Sequence, residues 1–89
     1  MNKQRRKELK SIITKLEALG DAIEEISECL QCIKDEEEEA FENLPESLQE
    51  SERGQQMQEY IDAMEGVLDL LNEFDSSELI DTIEEIANS

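Results

Sequence analysis

The sequence has no histidine, no tryptophan, one proline and three glycines among its 89 residues. Histidine is the side chain most often used as a general base and as a metal ligand, so its absence removes much hydrolytic and metal chemistry. No glycine-rich phosphate-binding loop is present either. These absences favour a protein that acts by contact with other macromolecules, and we expect no catalytic residue, no cofactor and no metal site.

Cysteine is also scarce, because Cys29 and Cys32 are the only two. Their C-x-x-C spacing occurs in redox and zinc sites, but one pair supplies only half of a zinc ligand set. We expect two reduced thiols flanking a helical seam, and the alternative is an intermolecular disulfide or metal bridge in a dimer. The five consecutive acids of 35–39 are expected to form a solvated surface, because a helix points successive carboxylates in different directions.

Basic residues are few, 8 against 25 acids, and the formal net charge is −17. Such a charge repels duplex nucleic acid and anionic membranes, and it suits basic proteins. No apolar run approaches the ~20 residues of a membrane span, and no apolar segment follows the basic start as it does in a secretory signal. We therefore expect a cytoplasmic protein whose partner is a basic or nucleic-acid-binding protein, with no direct contact to nucleic acid or membrane.

The first half of the chain carries an apolar residue every three or four positions, which is the heptad repeat of a helical seam. The repeat crosses Gly20 without a change of phase, so we prefer one helix over about 3–43 to two helices divided at Gly20-Asp21. The predicted seam positions are Leu9, Ile12, Leu16, Leu19, Ile23, Ile26, Leu30 and Ile33.

Pro45 is the strongest helix-breaking residue, and it predicts a turn over about 44–51. We prefer one nearly continuous second helix over about 52–87, capped by Ser51 and bent or broken near 75–77. In the alternative, residues 75–78 cap a separate short helix. The apolar repeat that predicts the second helix comprises Met57, Ile61, Met64, Leu68 and Leu71.

Two helices of similar length joined by a short turn predict an all-α fold, a single domain over 1–89 built as a long antiparallel helical hairpin that resembles a coiled coil. Opposite charges select this arrangement, because the basic start of the first helix then lies beside acids near the end of the second. The second helix has more apolar surface than a hairpin needs. The surplus indicates further packing, most simply a homodimer forming a four-helix bundle, and the alternative is the docking site of a partner helix. The candidate interface residues are Tyr60, Val67 and Phe74.

Acidic residues of the first helix recur at steps of three and four, which brings carboxylates to within about 5–6 Å of one another on one side. Such a row presents negative charge to a basic groove much as a phosphate backbone does. The candidate partner-binding surface is Glu17, Asp21, Glu24, Glu28, Asp35, Glu38, Glu39 and Glu42.

The central segment 40–55, AFENLPESLQESERGQ, resembles a stretch found in small acidic helical proteins of bacteriophages and prophages, and the opening MNKQRRK resembles their starts. The resemblance implies a phage origin and a helical architecture, and it assigns no catalytic or binding residue. The Cys29/Cys32 pair and the segment 75–77 depart from the usual pattern. Size, charge and resemblance lead to two expectations: a protein that binds and inhibits a host defence or nucleic-acid-processing factor in the bacterial cytoplasm, or a structural protein that oligomerises or bridges phage components.

Overall fold

A computed structural model describes residues 1–89, and it confirms an all-α fold without strands. Contacts divide the chain into two compact units: unit 1 contains Met1–Glu25 and Glu73–Ser89, and unit 2 contains Ile26–Asn72. The helices are α1 (Lys3–Glu42), α2 (Glu46–Gln49), α3 (Glu52–Glu73) and α4 (Ser76–Ala87).

Helix α1 runs for 40 residues without interruption, including at Gly20. Its first turn is capped by Asn2, whose side-chain oxygen accepts from the backbone N–H of Arg5 at 2.9 Å. No acid lies in its first turn and no base in its last turn, so its terminal charges oppose the helix dipole. The helix is therefore stabilised by packing along its length rather than by its ends.

The connection over 43–51, predicted as a turn, contains the short helix α2. Pro45 precedes α2 with φ −56°, a value that the proline ring favours. The side-chain amide of Gln49 donates to the carbonyl oxygens of Phe41 at 3.2 Å and Leu44 at 3.1 Å. Gln49 thus satisfies carbonyls that the end of α1 leaves without helical partners.

Gly54 allows α3 to begin directly against this connection. The Ser51 hydroxyl accepts from the backbone N–H of Gly54 at 3.4 Å, a long N-cap contact at the start of α3. A Cβ added at Gly54 would overlap the carbonyl oxygen of Gln49 and lie 2.6 Å from that of Leu48. Only glycine fits this position without a shift of the backbone.

The second half of the chain differs from the preferred continuous helix, because α3 ends at Glu73 and α4 begins at Ser76. Asp75 is extended, with φ −130° and ψ 111°, and its carboxylate accepts from the backbone N–H of Ser77 at 2.9 Å. That hydrogen bond lowers the pKa of Asp75 below its ordinary value. The local N-cap outweighs helix continuity here, as in the alternative of a separate capped helix.

In unit 1, α4 runs antiparallel to the first part of α1. The Arg6 guanidinium donates to the carbonyl oxygen of Ser89, and Gly20 lies against Ser76 at the other end of α4. Ile13 and Ala87 are buried between the two helices. The expected pairing of basic and acidic side chains is absent, since the only ion pair within 4.0 Å in the chain is Lys34–Glu38 inside α1.

In unit 2, Ile61 and Leu68 of α3 are the buried side chains, with 3 % and 5 % of their surface exposed. They repeat with Gly54 at steps of seven, and the half-buried Met57, Met64 and Leu71 lie between them. In heptad notation, where a and d are the seam positions, the first set lies at a and the second at d.

The register of α1 corrects the predicted seam. The d column agrees with the prediction, because Leu9, Leu16, Ile23 and Leu30 are half-buried. The a column of α1, which completes the seam, is buried or half-buried and consists of Arg6, Ile13, Gly20, Ser27, Lys34 and Phe41. Residues at g were predicted in the seam but are exposed: Ile12, Leu19, Ile26 and Ile33. Small a residues permit the close approach that Ser76 makes to Gly20, and the bulkier column is left outside.

Candidate functional site

Both helices of unit 2 carry an exposed apolar column just outside the seam. In α1 these residues are Ile26 and Ile33, and in α3 they are Tyr60 and Val67; each is about half exposed, between 48 % and 54 %. Leu70 lies beside Val67 at position c and is 68 % exposed. We call these five residues the outer face of unit 2.

The members of the outer face lie on one side of the unit 2 seam. Helices α1 and α3 are joined by the short connection over 43–51, and Glu65 of α3 lies near enough to Lys34 of α1 for its charge to act on that residue, as expected of two antiparallel helices. Two antiparallel helices are related by a twofold axis perpendicular to the plane that contains both. Rotation about this axis exchanges the two helices and keeps each face of the pair on the same side of that plane. The g positions of both helices therefore share one side, and the e positions share the other.

The outer face is nearly free of charge although the chain carries −17. Among the g and c positions of unit 2, only Glu36 and Arg53 are charged, and their signs cancel. The uncharged residues at those positions, apart from the outer face itself, are Cys29, Ala40, Gln56 and Ala63. An uncharged apolar surface on so acidic a chain is typical of an interaction site.

Unit 1 exposes apolar residues at the same heptad position. Ile12 and Leu19 of α1 are exposed, and so are Leu79 and Ile86 of α4. Phe74, the third predicted interface residue, lies between α3 and α4 and is 37 % exposed. Tyr60, Val67 and Phe74 are therefore surface residues of the chain, and their role in a dimer interface stays a prediction.

The eight predicted partner-binding acids also lie on the surface of α1, at positions b, e and f, and we call them the acidic flank. Seven are exposed, and Glu38 is half-buried. Glu38 accepts from Lys34 at 3.1 Å, and this contact, with the nearby charges of Glu65 and Asp35, raises the pKa of Lys34. The Asp35 carboxylate accepts a hydrogen bond from the uncharged side-chain amide of Gln31 at 2.9 Å. The acidic flank otherwise faces solvent without a basic neighbour in ion-pair contact.

The acidic flank and the apolar g column lie on different sides of α1. At 3.6 residues per turn, positions b, e and f are rotated by about 100–160° from g. A macromolecule seated on one surface therefore leaves the other free. The two surfaces also differ in chemistry, since one is a row of carboxylates and the other is aliphatic and aromatic.

The helices contain neither a cluster of metal-ligating side chains nor a membrane-spanning segment. No group of three or more His, Cys, Asp or Glu side chains is arranged to hold a metal ion. Cys29 lies at c beside the outer face and Cys32 lies at f, and both are free and exposed thiols. None of the four helices combines the length and the apolar character that crossing a bilayer requires.

Sequence reasoning assigned Tyr60 and Val67 to a candidate interface but missed the rest of the outer face. It placed Ile26 and Ile33 in the seam, because isoleucine is a typical seam residue, and it made no use of Leu70. Two registers share the d column of α1, and choosing between them requires the position of the second helix.

No protein-family model, curated protein or solved structure matches the chain.

Proposed function

We propose that this chain is a non-enzymatic, phage-encoded interaction protein of the host bacterial cytoplasm. Its acidic flank binds a basic host protein, a defence or nucleic-acid-processing factor, and inhibits it by occupying the groove that otherwise holds nucleic acid. The proposal includes a helical-hairpin subunit and a homodimer that forms a four-helix bundle.

The observation that carries the proposal is the exposure of the acidic flank. Carboxylates on one side of a helix at steps of three and four lie about 5–6 Å apart, a spacing suited to several Lys and Arg side chains at once. Glu38 alone among the eight is in an ion pair. Binding to a basic groove therefore breaks one existing ion pair and forms several new ones.

The experiment compares two variants that lose the same number of charges from different surfaces. The flank variant carries Glu17→Gln, Asp21→Asn, Glu24→Gln and Glu28→Gln, and the control variant carries Glu59→Gln, Asp62→Asn, Asp69→Asn and Glu73→Gln on α3. Each immobilised protein is incubated with host lysate, and retained proteins are identified by mass spectrometry across a salt series. All eight positions are exposed, so neither variant disturbs the seam.

We expect the wild type and the control variant to retain the same nucleic-acid-binding protein, and the flank variant to lose it. Retention should fall with added salt and with added double-stranded DNA, because carboxylates and phosphates compete for the same groove. The captured factor should lose its activity on nucleic acid when the wild type is added. Equal retention by the two variants, or equal loss, would contradict the proposal, because position on the chain would then be irrelevant.

A second candidate function is favoured by the exposed apolar residues at g. A protein that oligomerises or bridges other phage components needs such apolar surface and has no need of an unpaired acidic row. Under this reading, charge removal from either surface leaves assembly with the phage component intact. Substitution of Val67 by glutamate should then abolish co-sedimentation with that component, and the acidic-flank variant should behave as the wild type.

A further inference from the structure

We propose that a second copy of this chain covers the outer face of unit 2, and that the two copies meet through this face around a twofold axis. The inference specifies the homodimer included in the proposed function by naming its contact residues. It adds Ile26, Ile33 and Leu70 to the interface, and it places the acidic flanks of both copies on the outside.

The chain exposes more surface than a compact monomer of its mass, which leaves ample area for an interface with a second copy. Its accessible area is 6812 Å², whereas a compact monomer of this mass exposes roughly 5300 Å². The excess is about 1500 Å², and a standard interface removes about 800 Å² from each partner. An interface of that size with one further copy would remove about half of the excess.

The spacing of the outer face favours an identical partner. In unit 2, Ile26 and Ile33 are separated by one heptad, and Tyr60 and Val67 are separated by one heptad on the neighbouring helix. Side chains from a second surface interdigitate with this pattern when they repeat at the same distance. A second copy has that repeat by identity, and a twofold interface requires only that one patch complement itself.

The low charge of the outer face favours self-association there. Two copies that each carry −17 repel one another, so they approach where acids are fewest. The outer face is such a place within unit 2, since Glu36 and Arg53 are the only charged residues at its g and c positions and are opposite in sign. Salt screens the remaining repulsion over a length of about 8–10 Å at moderate ionic strength. Dimerisation should therefore strengthen with salt, whereas binding of a basic partner to the acidic flank should weaken.

Tyr60 reports directly on this interface. It is the only tyrosine in a chain without tryptophan, so the intrinsic emission comes from one ring, and that ring lies in the outer face. In the free chain the Tyr60 side chain is 53 % exposed. Collision with neutral acrylamide measures its exposure without interference from the charge of the protein.

The experiment measures acrylamide quenching of Tyr60 and the molar mass by sedimentation, over a range of protein and salt concentrations. We expect the mass to double and the quenching constant to fall by about half or more, since only the free monomer exposes the ring. Both midpoints should move to lower protein concentration as salt is raised. Binding of a basic host protein is measured separately, so failure of dimerisation and failure of the proposed function are distinguishable.

Two adjacent substitutions provide the matched test. Ile33→Glu puts a carboxylate in the outer face and should weaken the dimer at least about a hundredfold, because each copy then buries an unpaired charge. Cys32→Glu adds the same charge at f, outside the interface, and should leave the dimer intact. Both side chains are exposed, and helicity by circular dichroism verifies that both variants fold.

Three results would overturn the proposal. In the first, the chain stays monomeric at all concentrations and Tyr60 is equally quenched throughout. The outer face would then be covered by an apolar segment of another protein and not by a second copy. A dimer in which Tyr60 remains fully quenched uses a different surface. Equal weakening by Ile33→Glu and Cys32→Glu would show that added charge, rather than its position, controls association.

Discussion

In α1, the column of residues that faces the seam and the column just outside the seam differ in a way that is unexpected for so small a protein. In α1, the a column facing inward includes Gly20, Ser27 and Lys34, whereas the exposed g column is Ile or Leu at its four positions from 12 to 33. Apolar burial contributes about 25 cal/mol per Å², so a chain that leaves its bulkier aliphatic column outside forgoes monomer stability. The difference indicates that close approach of the helices governs the inner side, and it is the basis of the proposal that a second copy covers the outer side.

The sharpest test of the inner side is Gly54→Ala. The added Cβ meets the backbone of Gln49 and Leu48, which cannot rotate away as a side chain can. We expect a loss of roughly 3 kcal/mol in the free energy of unfolding, at the upper end of typical overpacking costs. Urea denaturation followed by circular dichroism measures it.

Gly66→Ala is the matched control for Gly54→Ala, because nothing lies within 4 Å of a Cβ added at Gly66. It should raise the free energy of unfolding by up to about 1 kcal/mol, the difference in helix propensity between alanine and glycine. If Gly54→Ala were as harmless as Gly66→Ala, the close contact between α3 and the connection would be refuted.

The second prediction compares an inner with an outer isoleucine. Ile61→Ala removes a side chain that is 3 % exposed and should cost about 2–3 kcal/mol in unfolding free energy. Ile33→Ala removes one that is 54 % exposed and should cost less than about 1 kcal/mol in the monomer. Denaturation at low salt and low protein concentration isolates the monomer. Equal costs there would indicate that Ile33 is in the seam, as sequence reasoning first placed it.

Gly20→Ala should have a smaller effect, and in the stabilising direction. The new Cβ would lie 2.9 Å from the hydroxyl oxygen of Ser76, which can rotate away, while the Ser76 Cβ stays at an ordinary 3.9 Å. The higher helix propensity of alanine adds about 1 kcal/mol to the free energy of unfolding, and the cost of a changed Ser76 rotamer removes about half of that gain. Thermal unfolding should show a slightly higher midpoint. A clear decrease would mean that α1 and α4 are held closer than these distances allow.

The smallest predicted effect is local and concerns Asp75. Because its pKa in the folded chain is lowered by the hydrogen bond from Ser77, the cap stabilises α4 at pH values above the ordinary pKa of aspartate. This stabilisation is lost as pH falls through the lowered value. Carbon chemical shifts of residues 76–87 should show α4 losing helicity over that range. Asp75→Asn should remove the pH dependence and keep the cap, whereas Asp75→Ala should weaken α4 at neutral pH.

The sequence alone determined the helical class, because apolar steps of three and four with few glycines and one proline permit no other regular structure. Pro45 and Asp75 also mark interruptions by local rules, since proline restricts its neighbour and aspartate caps the next helix. The acidic flank follows from residue spacing along one helix. Each of these depends only on residues close together in the chain.

Tertiary structure alone decided which columns meet. The d column of α1 can form a seam with either a or g, and sequence reasoning chose g because Ile and Leu occupy it. The structure uses a, where Gly20 lets Ser76 of α4 approach so closely that an added Cβ would lie 2.9 Å from the Ser76 hydroxyl oxygen. Hydrophobicity ranks residues, but the distance between two backbones determines which side chains fit between them.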